Sequence, residues 1–186
     1  MTERHWNRRT FLKATLAGMF ALYGVTPAFS KILESEQLPE GRLNLFNIHT
    51  EETLSVTYRS GNGEYDPEAL SAIDQILRCH YTDEVANIDI STIEYLNRID
   101  KELGGGNEIH IISGYRSPEY NSRLREGSRK VAKHSLHLQG KALDIAIPNI
   151  GTETVRLTAL KLQKGGVGYY PRDGFVHIDS GPIRTW

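Results

Sequence analysis

One cysteine in 186 residues leaves no partner for an internal disulfide. It also leaves no material for the cysteine-rich sites that close around a structural zinc ion. An excess of one charge is missing too. The chain has 22 Lys and Arg against 23 Asp and Glu, a formal net charge of −1 at pH 7, so no general nucleic-acid or polyanion-binding role is expected. Its apolar runs are too short for a convincing membrane span. Internal repeats and low-complexity tracts are absent as well. What remains is enough chain for one domain with a proper hydrophobic core.

Residues 1–30 are expected to stand outside that domain. Met1 to Lys13 is polar and carries Arg4, Arg8, Arg9 and Lys13. A short, weakly apolar stretch around Phe20 and Leu22 is broken by Gly18 and Gly24, and Ala28-Phe-Ser30 is a small-residue cleavage site. Asn7-Arg8-Arg9-Thr-Phe-Leu-Lys13 resembles the twin-arginine export signal, with Asn7 where Ser or Thr is commoner. On this reading 1–30 is a signal peptide, 31–186 is the mature domain, and the periplasm is its destination. The other reading is an amphipathic first helix of the mature domain. No cysteine lies near the cleavage site, so no lipid anchor is expected.

The rest reads as α+β in a single domain. Strands are expected over 43–49 and 53–59 as a hairpin. A helix should follow over 67–80, with Asp66 as its cap and Pro67 in its first turn, and Cys79 is expected to be buried on it. A second helix is read over 90–103, stopped by Gly104-Gly105-Gly106. The remaining expectations are strands 108–113, 142–147, 167–170 and 175–179, a short helix 118–126, and a helix 152–162. Helices come first and a small, mostly antiparallel sheet dominates later.

Chemistry concentrates in Ser135-Leu-His137-Leu-Gln-Gly140-Lys-Ala142-Leu-Asp144 and in Phe175-Val-His177-Ile-Asp179. Two histidines and a carboxylate on separate segments form the ligand set of an open zinc site, where three protein ligands leave a fourth position for water. Strand alternation places Leu143, Ile145 and Ile147 on one face and Asp144 on the other, beside only Ala142 and Ala146. It likewise separates Val176 and Ile178 from Phe175, His177 and Asp179. Spacing alone leaves an alternative open. His137 could pack a loop, Asp144 could pair with a lysine, and His177 could be a satisfied core histidine. Tyr115-Arg116-Ser117 follows a strand end, where a guanidinium can hold a substrate carboxylate or carbonyl or simply order the loop. The basic residues Arg123, Arg125, Arg129, Lys130 and Lys133 read as a solvated loop or as an attractor of acidic polymer.

The pattern Ser-x-His-x-x-Gly-x-Ala-x-Asp followed by a late Val-His-x-Asp resembles the signature of the zinc D-alanyl-D-alanine peptidases, the hedgehog-like LAS superfamily of metallopeptidases. The run Ile112-Ser-Gly-Tyr-Arg-Ser-Pro118 matches that family's upstream element. Gly165-Gly-Val-Gly-Tyr-Tyr-Pro171 and Gly181-Pro-Ile-Arg-Thr-Trp186 resemble a narrower group, the MepK-type murein endopeptidases. The resemblance implies a hedgehog/D-Ala-D-Ala peptidase-like fold with one Zn2+ held by His137, Asp144 and His177 in a cleft. It implies Arg116 and Ser135 as substrate contacts, with Arg116 also steadying the oxyanion. The substrate implied is the peptide stems of peptidoglycan, cut at cross-links involving meso-diaminopimelate; a monomer without a stable membrane anchor is expected. Relatives carry a general base two or three residues before the last ligand, but here those positions are Phe175 and Gly174. Asp179 is the expected base, with an orienting role for a histidine as its alternative and Asp173 and His134 as further candidates. An inactive, zinc-holding wall-binding module is the second functional reading.

Overall fold

A computed structural model describes residues 40–127 and 131–186. The signal-peptide reading of 1–30, and Arg129 and Lys130 of the basic run, lie outside the described residues. In chain order the elements are β1 (Gly41–Asn47), β2 (Thr53–Arg59), α1 (Pro67–Ile76), α2 (Ile90–Glu102), β3 (Glu108–Ser113), α3 (Pro118–Gly127), a 3-10 turn (Leu136–Gln139), β4 (Ala142–Ala146), α4 (Thr152–Leu162), β5 (Gly166–Tyr170), β6 (Phe175–Asp179) and β7 (Arg184–Thr185). The strands form one sheet in the order β2-β1-β3-β4-β6-β5-β7. Four of its six pairings are antiparallel, and β1–β3 and β5–β7 are parallel. The α+β expectation holds, with an added two-residue edge strand that is too short to read from alternation.

Two boundaries differ from expectation for identifiable reasons. Strand β1 stops at Asn47 because the Asn47 side chain turns the chain. Its Oδ1 accepts from His49 N at 3.0 Å, and its Nδ2 donates to Ile76 O at 2.9 Å. Helix α1 begins as expected, with Asp66 accepting from Glu68 N and Ala69 N, but it ends at Ile76 rather than near residue 80. The carbonyls that would carry it onward are taken by other segments. Ile76 O accepts from Asn47, and Leu77 O accepts from Tyr115 N at 2.8 Å. Cys79 is buried as expected, but in the turn beyond the helix.

The core lies between one face of the sheet and helices α1, α2 and α4. Leu43, Leu45, Ile109, Ile111, Leu143, Ile145, Val176 and Ile178 point into it from the strands, all fully buried. They meet Ile73 of α1, Ile93, Leu96 and Ile99 of α2 and Val155 of α4. Alternation then forces the remaining side chains of the central strands β4 and β6 to the opposite face. There the sheet carries Asp144 and His177 directly opposite one another in register. Among the described residues no helix is long and apolar enough to cross a membrane.

Candidate metal centre

Three pieces of backbone place the three ligand candidates. Asp144 and His177 come from paired strands. His137 comes from the 3-10 turn before β4, capped by Ser135, whose Oγ accepts from His137 N. That turn closes on Gly140 at φ 65°, a left-handed conformation that favours glycine. A side chain at Gly140 would also collide with the Asn87 carbonyl. The motif glycine therefore sets the entry of the chain into β4, and with it the distance from His137 to Asp144. Register shifts in the β3–β4 pairing just before Ser113, and beyond it Arg116 N donates to His137 O at 3.1 Å, which ties Arg116 to the same spot.

The donors converge. His137 Nε2 lies 3.2 Å from His177 Nδ1 and 3.3 Å from Asp144 Oδ1, and His177 Nδ1 lies 2.8 Å from Asp144 Oδ1. Tetrahedral zinc with bonds of about 2.0–2.1 Å spaces its ligands roughly 3.3–3.4 Å apart, so the triangle is nearly of that size.

The tautomers matter more than the distances. His137 Nδ1 lies 2.7 Å from Gly114 O, an acceptor only, so the ring proton is assigned there and Nε2 presents a bare lone pair. His177 Nε2 faces Asp179 Oδ2 at 3.1 Å, which assigns its proton to that side and leaves Nδ1 bare. Two imidazole lone pairs and a carboxylate oxygen thus point at one another, in surroundings where His137, Asp144 and His177 are all buried. Acceptors alone cannot satisfy each other. A cation fits this donor set, and without one a proton takes its place. Burial pushes His177 down, but its bonds to Asp144 and Asp179 outweigh that and raise it above the usual histidine value. Burial holds His137 below the usual value. Burial also opposes ionisation of Asp144, yet His137, His177 and Arg116 hold its carboxyl far below the usual carboxylate range.

The surrounding residues settle into two groups. Arg116 donates from Nη2 to Asp144 Oδ2 and from Nε to Ser113 Oγ at 2.8 Å, so the guanidinium grips the Asp144 carboxylate from behind. Asp179 is fully buried. Its carboxylate accepts from Gly166 N at 3.2 Å, Gly181 N at 2.8 Å and both Nη atoms of Arg184, at 3.1 and 2.8 Å. Burial pushes its carboxyl up, but His177, Arg184 and Gly181 N outweigh that and hold it at about 2.

Arg116, Ser135 and the three ligand candidates line a cleft of about 430 Å³, and His134, Asp173, Tyr170, Arg184 and Trp186 line it too. The structure brings together the three ligand candidates, Arg116 and Ser135, all named from the sequence. Sequence reasoning missed Gly114 as the partner of His137, Arg184 as the partner of Asp179, and Trp186 as a wall of the cleft. The closing Arg-x-Trp and the clustered glycines of 165–168 were the only signal for the last two.

Residues 37–186 match the family profile described as peptidoglycan L,D-endopeptidase MepK. The chain is 39% identical over 181 residues to the peptidoglycan L,D-endopeptidase MepK of Escherichia coli K12, an alignment that covers 97% of each chain. It is 37% identical over 182 residues to a probable peptidoglycan L,D-endopeptidase MepK of Haemophilus influenzae, covering 97% of this chain and 95% of the relative. No solved structure matches significantly.

Proposed function

We propose, from the premise that the chain belongs to the peptidoglycan L,D-endopeptidase MepK family, that it is an exported zinc enzyme cutting peptide cross-links of murein at bonds involving meso-diaminopimelate. Peptidase chemistry comes with the family. The metal, the bond and the compartment are the proposal, and the observation that carries it is the convergence of two imidazole nitrogens and a carboxylate oxygen on one point of an open cleft.

His137 Nε2, Asp144 and His177 Nδ1 would hold the ion. Zinc bound there supplies a Lewis acid for a scissile carbonyl and lowers the pKa of water to near ~7. Arg116 keeps Asp144 ionised and aimed. A guanidinium has five N–H donors, and those of Arg116 not used on Asp144 and Ser113 are available to a substrate carbonyl or the oxyanion. Ser135 stands on the rim for a contact to the peptide.

For Asp179 the geometry favours the orienting role over the basic one. Its oxygens are occupied by four donors besides His177, and a carboxyl held at about 2 is a poor proton acceptor at neutral pH. The base role then passes to His134 or Asp173, the exposed titratable groups on the cleft rim.

Digestion of purified murein sacculi, read by mass spectrometry, tests the function. Cross-linked muropeptides should be converted to uncross-linked ones, chelator should stop the conversion, and added zinc should restore it. Conversion indifferent to chelator would reject the metal, and retention of murein without products would reject hydrolysis in favour of a binding module. For the compartment, changing Arg8 and Arg9 together to Lys should trap the precursor in the cytoplasm, because the paired-arginine address is read by a receptor. Normal export of the double variant would assign a general secretory signal instead.

A further inference from the structure

We propose that residues 181–186 form a positioning strap, in which Arg184 acts through Asp179 to hold the His177 ring with Nδ1 toward the metal. This rests on the reading of the cleft as a metal centre and extends it to a segment that supplies no ligand.

The physical case begins with Asp179. A fully buried carboxylate needs a countercharge and a complete set of donors. Arg184 supplies both, with one Nη on each carboxylate oxygen. The backbone N–H groups of Gly166 and Gly181 complete Oδ1. Oδ2 is thereby left facing His177 Nε2, and the direction of that lone pair fixes the ring rotation. Without the guanidinium the carboxylate would turn toward its two backbone donors and lose its hold on the imidazole.

The strap is itself fastened. Arg184 and Thr185 pair with Gly166 and Val167 as β7. Tyr169 N donates to Trp186 O at 3.0 Å, and Trp186 Nε1 donates to Tyr170 Oη at 2.8 Å. The Trp186 ring lies 5.1 Å from the His177 ring, centroid to centroid, with the Arg184 guanidinium 4.9 Å above it. The imidazole is thus held at its edge by Asp179 and flanked by the indole. Space for this is cleared in β5. A side chain at Gly166 would collide with Asp179 and Arg184, and one at Gly168 would meet the Trp186 indole at 2.8–2.9 Å. Two strand positions without side chains are therefore accounted for by one device on the neighbouring segment.

The test is metal binding by the purified protein, independent of turnover. Zinc affinity is measured by competition with a chromophoric chelator, and the visible spectrum of the Co2+-loaded protein reports ligand geometry. Wild type should bind one zinc, and failure here would reject the metal centre itself, a result distinct from failure of the strap. Given that binding, Arg184→Gln should weaken zinc by about 10- to 100-fold, the scale for removing a ligand's hydrogen-bonded support. It should also shift the cobalt bands, which a loss of stability alone would leave in place. Arg184→Lys keeps the charge but not the paired donors and should fall between the two. Zinc affinity within about twofold of wild type, with an unchanged cobalt spectrum, would overturn the proposal. Should Arg184→Gln fail to fold, Arg184→Lys carries the same test with the same overturning result.

Discussion

Among the described residues, guanidinium groups hold largely buried carboxylates in two places, and the two places end differently. Between β2 and α2, Arg59 is 2% exposed and donates to both oxygens of Glu94, Nε to Oε1 at 2.7 Å and Nη2 to Oε2 at 3.2 Å. Tyr65 Oη adds a further bond to Glu94 at 3.2 Å. There the acceptors and donors match. Around β4 and β6, Arg116 gives Asp144 one N–H and the partly exposed Arg184 gives one to each oxygen of Asp179, but two imidazoles have been added whose outer nitrogens face Gly114 O and Asp179 Oδ2. Their inner nitrogens have only each other and Asp144 to face. A buried ion pair with matched partners is architecture. A buried ion pair beside convergent imidazole nitrogens is a candidate cation site.

The largest test of that contrast removes the donors. His137→Ala, Asp144→Ala or His177→Ala should each abolish tight zinc binding and murein hydrolysis, since two ligands are too few. Full zinc occupancy by elemental analysis in all three variants would reject the ligand set. The matched pair should answer differently. Glu94→Gln should lower stability by about 3 kcal/mol, the lower end for removing one partner of a buried pair, while zinc stoichiometry stays at one. A urea melt reads the first and elemental analysis the second, and loss of zinc in folded protein would mean the two regions are coupled.

Between these lies Asp179→Asn. It should weaken zinc by ~10- to 100-fold. If zinc stays tightly bound while turnover falls by ~10²-fold, Asp179 is the base after all. Asp173→Asn and His134→Gln, assayed in parallel, assign the role between the rim candidates.

The smallest effect concerns His80, outside both regions. It is stacked on His49 at 3.7 Å between ring centroids and meets the edge of Tyr120 at 4.8 Å. Burial, with His49 and the charge of Arg116, pushes it down to about 4. An unfolded histidine takes its proton near ~6.5. The stability gained by keeping His80 neutral is therefore complete above that pH and is lost as pH falls toward 4. In His80→Gln the urea midpoint should change less between pH 7 and pH 5 than in wild type, and equal slopes would remove His80 from the acid response.

Much of this was legible in the chain. The alternation of 142–147 and 175–179 was enough to separate Leu143, Ile145, Val176 and Ile178 from Asp144 and His177, because a period of two leaves no choice of face. Strand β3, helix α4 and strand β6 fall where their patterns end. The end of α1 was not legible, because its last carbonyls are claimed by Asn47 and Tyr115 from distant segments. Nor were the partners of Asp179. From the chain it is a carboxylate two residues from a histidine on the same strand face, equally suited to act on water or to hold a ring. Only the folded chain brings Arg184 and two backbone N–H groups to it.

What the sequence determined by itself was the list of chemical groups and the faces they occupy, since alternation, turn glycines and motif spacing are local properties of the covalent chain. Which nitrogen of each histidine faces inward, which carboxylate converges with them and which one backs His177 were decided only when β4, β6 and the last six described residues came together. Tautomers and ionisation are set by the partner on the far side of each group, and those partners lie up to 28 residues away for Asp144 and 23 for His137.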